Sequence, residues 1–426
     1  MSALALASFG PYIIGGMRTE QAAVYGLAVL ILPFTIGGLR TSGRFFLPWL
    51  LYVTVATLGV MLPTSSHGLF RPGSIIAGLD NILLPLGLML LIWSVVPTPS
   101  AEPLLASVSR IISISMAANG ALAIISTRTD LTPLLRPFWT TGGEGVTTAE
   151  LAASMGRYGG IFNQPAEAGA LYGIAGIAAI YVWKSRPLWL ALILTLITLG
   201  GLISVSKVFI LGGLPLIVFY WLWSQRSGRK VGLLFGMSLL ALGVVQSGVF
   251  SQWTGFNYLV RLINPTGSGG ALGFYTAGRF ESGSALSEVV NSILALSPLA
   301  GVGAGGWEVP YDSAITESLV VAGLLGLVLY GVVIVGIFGL ARKTINRHRQ
   351  MFIFLFGIVT LAGSLGFSPL TANRVSTVSW LLITLFVLCA REDRRHVPSV
   401  LTTRGESGRY GCNAIEPTTA PVANQT

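Results

Sequence analysis

The chain has 426 residues, of which 53% are hydrophobic and only 10% charged, whereas a soluble domain carries roughly 25% charged residues. So few charges cannot cover a water-exposed surface of this length, which excludes an ordinary soluble fold and makes the bilayer the main solvent. The net charge of +10 does not point to nucleic acid, because the basic residues form short clusters between apolar stretches and no basic domain or aromatic-interleaved patch.

Only helices or a closed barrel can span a membrane. Barrel strands alternate apolar and polar residues with a period of two, but here the apolar runs are continuous, as over 82–95, 188–200 and 318–340. An all-α integral membrane protein is therefore expected. In chain order, about twelve transmembrane helices are predicted near 2–17, 21–38, 45–63, 74–97, 103–127, 166–184, 188–205, 207–225, 231–250, 314–341, 351–368 and 375–390, each close to the length a bilayer requires. No Lys or Arg precedes the apolar stretch 3–16, so it reads as a retained first helix and not as a cleaved signal.

Alternate connections carry Arg40 and Arg44; Lys184 and Arg186; Arg226, Arg229 and Lys230; and Arg342, Lys343, Arg347 and Arg349. The positive-inside rule puts all of them on one side when both termini are cytoplasmic and the helix count is even. The organisation is then one polytopic membrane domain over 1–390, followed by a flexible cytoplasmic tail over 391–426. Two connections on the opposite side, about 128–165 and 251–313, are long. Rich in Gly, Ser, Thr and Pro yet interrupted by apolar stretches, they read as functional loops and not as disorder.

Several cations fall on the side where positive charge is disfavoured. Arg18 and Arg71 read as interfacial anchors, and Arg128 and Arg136 as charges of a long loop; Arg374 is a further member of the set. Lys207, in the turn Ser204-Val205-Ser206-Lys207, suits a lipid phosphate or pyrophosphate, or is a snorkelling interfacial lysine. Arg157 stands in Gly156-Arg157-Tyr158-Gly159-Gly160, and Arg279 in Gly278-Arg279-Phe280-Glu281. Each fits an anion site lined by a guanidinium fork and approachable backbone, or an ion pair with Glu167 or Glu281. Asp80, Asn81, Arg110 and Asn119 interrupt apolar helices and invite a functional reading. Asp80 and Arg110 fall near opposite ends of successive helices, so they are not expected to pair, and either fits an interfacial role.

The stretch Gly301-Val302-Gly303-Ala304-Gly305-Gly306 formally satisfies a dinucleotide fingerprint but lacks the βαβ unit that gives it meaning. It is either a turn whose free N–H groups line an anion site or a structural turn. Glu281, Glu288, Glu308, Asp312 and Glu317 are the candidate general bases if the chain is an enzyme. Cys389 and Cys412 make no disulfide framework.

The second long loop resembles the O-antigen polymerase and ligase superfamily of bacterial envelope enzymes. The resemblance is carried by Gly278-Arg279-Phe280, a helical stretch, and Ser297-Pro298-Leu299-Ala300-Gly301-Val302-Gly303-Ala304-Gly305. Asp312-Ser313, Glu317-Ser318-Leu319 and Gly323-Leu324-Leu325-Gly326 follow. Upstream, Ser204-Val205-Ser206-Lys207 is similar to that family's Ser-x-Ser-Arg/Lys turn, and 157–165 resembles its Arg-containing first loop. The ordered matches cover roughly 150–340.

This resemblance implies a GT-C-like membrane glycosyltransferase with two large extracytoplasmic loops, multi-pass in the bacterial cytoplasmic (inner) membrane. It implies an undecaprenyl-diphosphate-linked glycan as donor, a glycan acceptor, and no nucleotide sugar, metal or other cofactor. Arg157, Lys207 and Arg279 are assigned by it to the donor diphosphate, with Arg261 a secondary candidate. Members that ligate glycan to lipid A-core carry a His where Asp312 stands. Asp312-Ser313 therefore turns the expectation toward a polymerase, with Asp312 as the base for the acceptor hydroxyl. Ligase-like transfer to another acceptor, and a multi-pass transporter or lipid flippase, are the alternatives. A chain-length regulator or a flippase would be the natural protein partner.

Overall fold

The computed structural model describes residues 1–13, 16–35, 42–61, 70–140, 145–224, 253–258, 284–309, 311 and 313–396. Its helices begin with α1 (Ser2–Ala7), α2 (Thr19–Thr35), α3 (Gly43–Gly59), α4 (Ile75–Val95) and α5 (Ala101–Ser126). Next come α6 (Thr132–Trp139), α7 (Thr148–Ser154), α8 (Pro165–Trp183), α9 (Pro187–Ile203), a π-helical turn over Val208–Gly213, and α10 (Leu214–Ser224). The remaining ones are α11 (Ala285–Leu296), α12 (Ala314–Lys343), α13 (Arg347–Gly363) and α14 (Asn373–His396). No strand occurs among the described residues.

Among the described residues, five helices are long and apolar enough to cross a membrane: Ile75–Val95, Thr98–Ser126, Pro165–Trp183, Ala314–Lys343 and Arg374–Arg394. Shorter apolar helices surround them, and large hydrophobic side chains point outward. Phe34 on α2 is 89% exposed and Leu188 on α9 is 85% exposed. Val328, Val332 and Val335 form an exposed apolar row on α12. Such a surface is solvated by lipid and not by water. The chain is a helical membrane protein.

The centre is α14, whose middle, 380–390, is apolar on nearly every side and therefore buried. Val378, Trp380, Leu381, Leu382 and Ile383 have no exposed surface, and the helix packs on α4, α5 and α8. Close approach elsewhere depends on small residues, as is usual between membrane helices. A Cβ on Gly120 of α5 would lie 2.2 Å from the Leu196 carbonyl oxygen of α9.

Helix α12 is broken at Gly323, whose φ of 64° and ψ of −160° only glycine adopts readily. The stretch after Pro298 fills the break. Leu324 and Leu325 N–H groups donate to the Pro298 and Leu299 carbonyls at 2.8 and 3.2 Å, and Val302 N–H donates to the Val320 carbonyl at 2.8 Å. Irregular backbone is tolerated in such a bundle only when its polar groups are satisfied by protein.

The expected first span, 2–17, is not one helix. α1 stops at Ala7, and six residues rise only about 9 Å. Gly10-Pro11 ends it, since the proline ring has no N–H to donate. The chain folds back, with Tyr12 N–H donating to Pro137 O at 2.9 Å. The expected span 207–225 opens as a π turn because Pro215 offers no N–H to the preceding turn and crowds it. α14 runs on to His396, past the expected start of the tail at 391, held there by an ion pair between Asp393 and Arg349 at 2.5 Å. The expected span 231–250 and residues 397–426 lie outside the described residues.

Candidate functional site

Arg157 is positioned by the way α7 starts and stops. Thr147 Oγ1 accepts from Glu150 N–H at 3.2 Å, and the Glu150 carboxylate accepts from Thr147 N–H at 2.6 Å, a capping box. At the far end Gly156 takes a φ of 75°. Its N–H donates to Ala153 O at 2.8 Å and Arg157 N–H donates to Ala152 O at 2.9 Å. Those two bonds form the helix stop that needs a left-handed glycine, and they set the angle at which Arg157 leaves.

Segment 156–164 is then tied down on several sides. Asn119, buried in α5, donates to Gly159 O at 3.1 Å and to the Tyr172 hydroxyl at 2.8 Å, and accepts from Ile161 N–H at 2.8 Å. Trp139 Nε1 donates to Gly160 O at 2.9 Å, and Trp253 Nε1 to Gly156 O at 2.6 Å. Arg374 donates to the carbonyls of Ile161, Gly10 and Phe138 at 3.0, 2.8 and 3.0 Å. Tyr158 N–H donates to Ile203 O at 3.2 Å, laying the segment against the end of α9.

There α9 passes into Ser204-Val205-Ser206-Lys207. Val205 has a φ of 47° and is the sole non-glycine with positive φ among the described residues. A β-branched residue in that region costs about 1–3 kcal/mol. Lys207 is half-buried and opens the π turn, and the Ser206 hydroxyl is buried without a hydrogen-bond partner. Arg157 reaches over this turn, with Nη2 3.5 Å from the Val205 carbonyl oxygen. Its Nε is buried without a partner, and no carboxylate pairs with it among the described residues. Burial pushes the guanidinium below its ordinary value, an effect that Tyr258 opposes.

Two predicted site residues, Arg157 and Lys207, thus come from adjoining segments. Arg261, Arg279 and Asp312 lie outside the described residues. Next to Asp312, Ser313 Oγ caps α12 by accepting from Thr316 N–H at 3.1 Å, and the Tyr311 hydroxyl donates to Trp307 O at 2.7 Å.

The alternative ion pair between Arg157 and Glu167 is absent. Glu167, 2% exposed with one carboxylate oxygen unpartnered, faces Arg374 and Arg18. Nor is Arg18 an interfacial anchor: it is 4% exposed and reaches Glu20 at 3.5 Å and Asp80 at 3.2 Å. The Asp80 carboxylate also accepts from Gln21 and from the Tyr25 hydroxyl, the latter at 2.7 Å. Arg18 is therefore the cation for Asp80, while Arg110 is exposed. The glycine stretch 301–306 is no open anion cradle, because Gly301, Val302, Ala304 and Gly306 N–H groups all donate to backbone carbonyls.

Glu20, Asn119, Glu167 and Arg374 form a buried polar layer that sequence reasoning did not bring together. A signal existed for the two acids: each stands in the first turn of an apolar helix, where the N-terminal dipole favours negative charge. No protein-family model matches the chain, and no curated protein matches it.

Proposed function

We propose that the chain is a GT-C-like glycosyltransferase with about twelve transmembrane helices and both termini cytoplasmic. It polymerises undecaprenyl-diphosphate-linked repeat units into an envelope polysaccharide on the outer face of the bacterial cytoplasmic membrane. The observation that carries this reading is Arg157, a half-buried guanidinium with no carboxylate partner among the described residues, poised over the turn that bears Lys207. A desolvated charge without a partner is costly, and a diphosphate supplies the matching bidentate oxygens. The resemblance supplies the rest: Arg279 and Arg261 join Arg157 and Lys207 on the donor diphosphate. Asp312 takes the proton from the acceptor hydroxyl, and the lipid diphosphate departs as the glycosidic bond forms.

The test is deletion in the host and complementation with wild type, Arg157→Ala or Arg157→Lys, followed by sizing of lipid-linked glycans. Arg157→Ala should leave short, unpolymerised lipid-linked units at normal membrane abundance of the protein. Arg157→Lys, which keeps the charge but not the fork, should fall between. Accumulated long polymer still on the lipid carrier would reassign the chain to ligation with the same donor site. Unchanged polymer length in Arg157→Ala would refute the diphosphate assignment.

A further inference from the structure

We infer that the cavity beside Arg157 is a saccharide subsite, one that takes the sugar joined to the donor diphosphate; this rests on the diphosphate reading of Arg157. The cavity, about 330 Å³, lies between the end of α5, the start of α6, α7 and segment 158–160. It is at the small end of ligand sites, suited to a sugar unit and not to a whole repeat.

Its lining offers both signs of hydrogen-bonding group. Arg128 is exposed and has no carboxylate partner among the described residues. Asp130 is also exposed and accepts from Thr132 N–H at 2.9 Å just ahead of α6, which fills only part of a carboxylate's accepting capacity. Ser126 and Thr127 donate their hydroxyl hydrogens to the Leu122 and Ile124 carbonyls at 2.8 and 2.7 Å, so they present lone pairs. Trp139, fixed through its bond to Gly160, and Tyr158 add aromatic surface.

An anion site would be lined by donors, and Asp130 would repel its ligand. An acyl chain would find too many polar groups. A neutral polyol needs donors and acceptors together, with an aromatic surface for its ring. Tyr158, which lines the cavity, is the next residue after Arg157, and this chain adjacency is what links the subsite to the donor diphosphate.

The experiment uses the full chain in nanodiscs and two probes. One is undecaprenyl diphosphate without sugar, and the other is the oligosaccharide mixture released by mild acid from the host's envelope polysaccharide. The double variant Arg128→Gln/Asp130→Asn should weaken oligosaccharide binding about tenfold or more, the loss expected for hydrogen bonds to charged groups. It should leave undecaprenyl diphosphate binding intact. Unchanged oligosaccharide affinity, or no oligosaccharide binding by the wild type, overturns the subsite. If the double variant loses both probes, a Thr129→Cys chain with Cys412→Ser decides, since Cys389 is buried. Oligosaccharide should slow maleimide labelling at position 129, and no protection overturns the proposal. Arg157→Ala with undiminished undecaprenyl diphosphate binding would instead sink the functional reading, leaving the subsite to be judged by its own arm.

Discussion

Two arginines at opposite ends of the bundle, one buried and one half-buried, are solvated in different ways. At the end that gathers Arg44, Lys184, Lys343 and Arg394, Arg349 is 4% exposed and bridges two carboxylates. Its Nη1 donates to Glu102 and its Nη2 to Asp393 at 2.5 Å; Glu102 also accepts from the Tyr181 hydroxyl at 2.5 Å, and Asp393 from Ile345 N–H at 3.0 Å. At the other end Arg157 has one long contact to a carbonyl and no acid among the described residues. Both leave Nε unfilled, so the carboxylates are what separate them. The first arginine completes a network of the folded chain. The second leaves its charge to be met from outside.

The largest effect that would test this contrast is on stability. Arg349→Ala strands two acids, one of them partly exposed, and should cost about 3 kcal/mol, the lower end for breaking a buried pair. Arg157→Ala removes an uncompensated charge and should leave the apparent melting temperature in nanodiscs unchanged or higher. Equal melting losses in the two variants would erase the distinction. Next in size is Asn119→Ala, which leaves Ile161 N–H and Gly159 O without their partner and should cost about 1–3 kcal/mol. It should also loosen segment 156–164, so undecaprenyl diphosphate binding should fall although Asn119 is not placed on the ligand. Unaltered binding would mean the segment is held without it.

The smallest effect is local. The Glu150 carboxyl is held below its ordinary value by the Thr147 N–H, with Arg136 adding to the shift. A depressed folded-state pKa stabilises at pH above the unfolded value, and that contribution disappears as pH falls through the folded one. Amide protection in α7 should therefore exceed that of Glu150→Ala at neutral pH, and the gap should close in acid. A gap that persists in acid would show that the ionised carboxylate is not the cap.

Local features were readable and long-range pairings were not. The cation in the turn after α9 and the glycines around Arg157 depend on neighbouring residues, so the sequence alone pointed to both, although not to α7 or to Gly156 as its stop. The apolar runs located α4, α5, α8 and α12 for the same reason. The partners of Arg18 and Arg349 are different, being 62 and 247 residues away for Asp80 and Glu102. Arg374 meets Gly10 across 364 residues. No periodicity encodes such contacts, which is why Arg18 read as a membrane anchor and why Glu167 stood as one alternative partner for Arg157. The first helix failed on a local rule given too little weight: Gly10-Pro11 outranks the hydropathy of the stretch around it.

The break in α12 has a consequence for biogenesis. Its Leu324 and Leu325 donors find their acceptors on residues that leave the ribosome before the helix itself does. The same earlier stretch is anchored to α3, where Ala304 N–H donates to Ala56 O at 2.8 Å. As α12 emerges, the template for its kink can already be seated on the older helix. An insertion within 298–304 would thus act as a lesion of the membrane-crossing helix, and tag insertion there should abolish assembly.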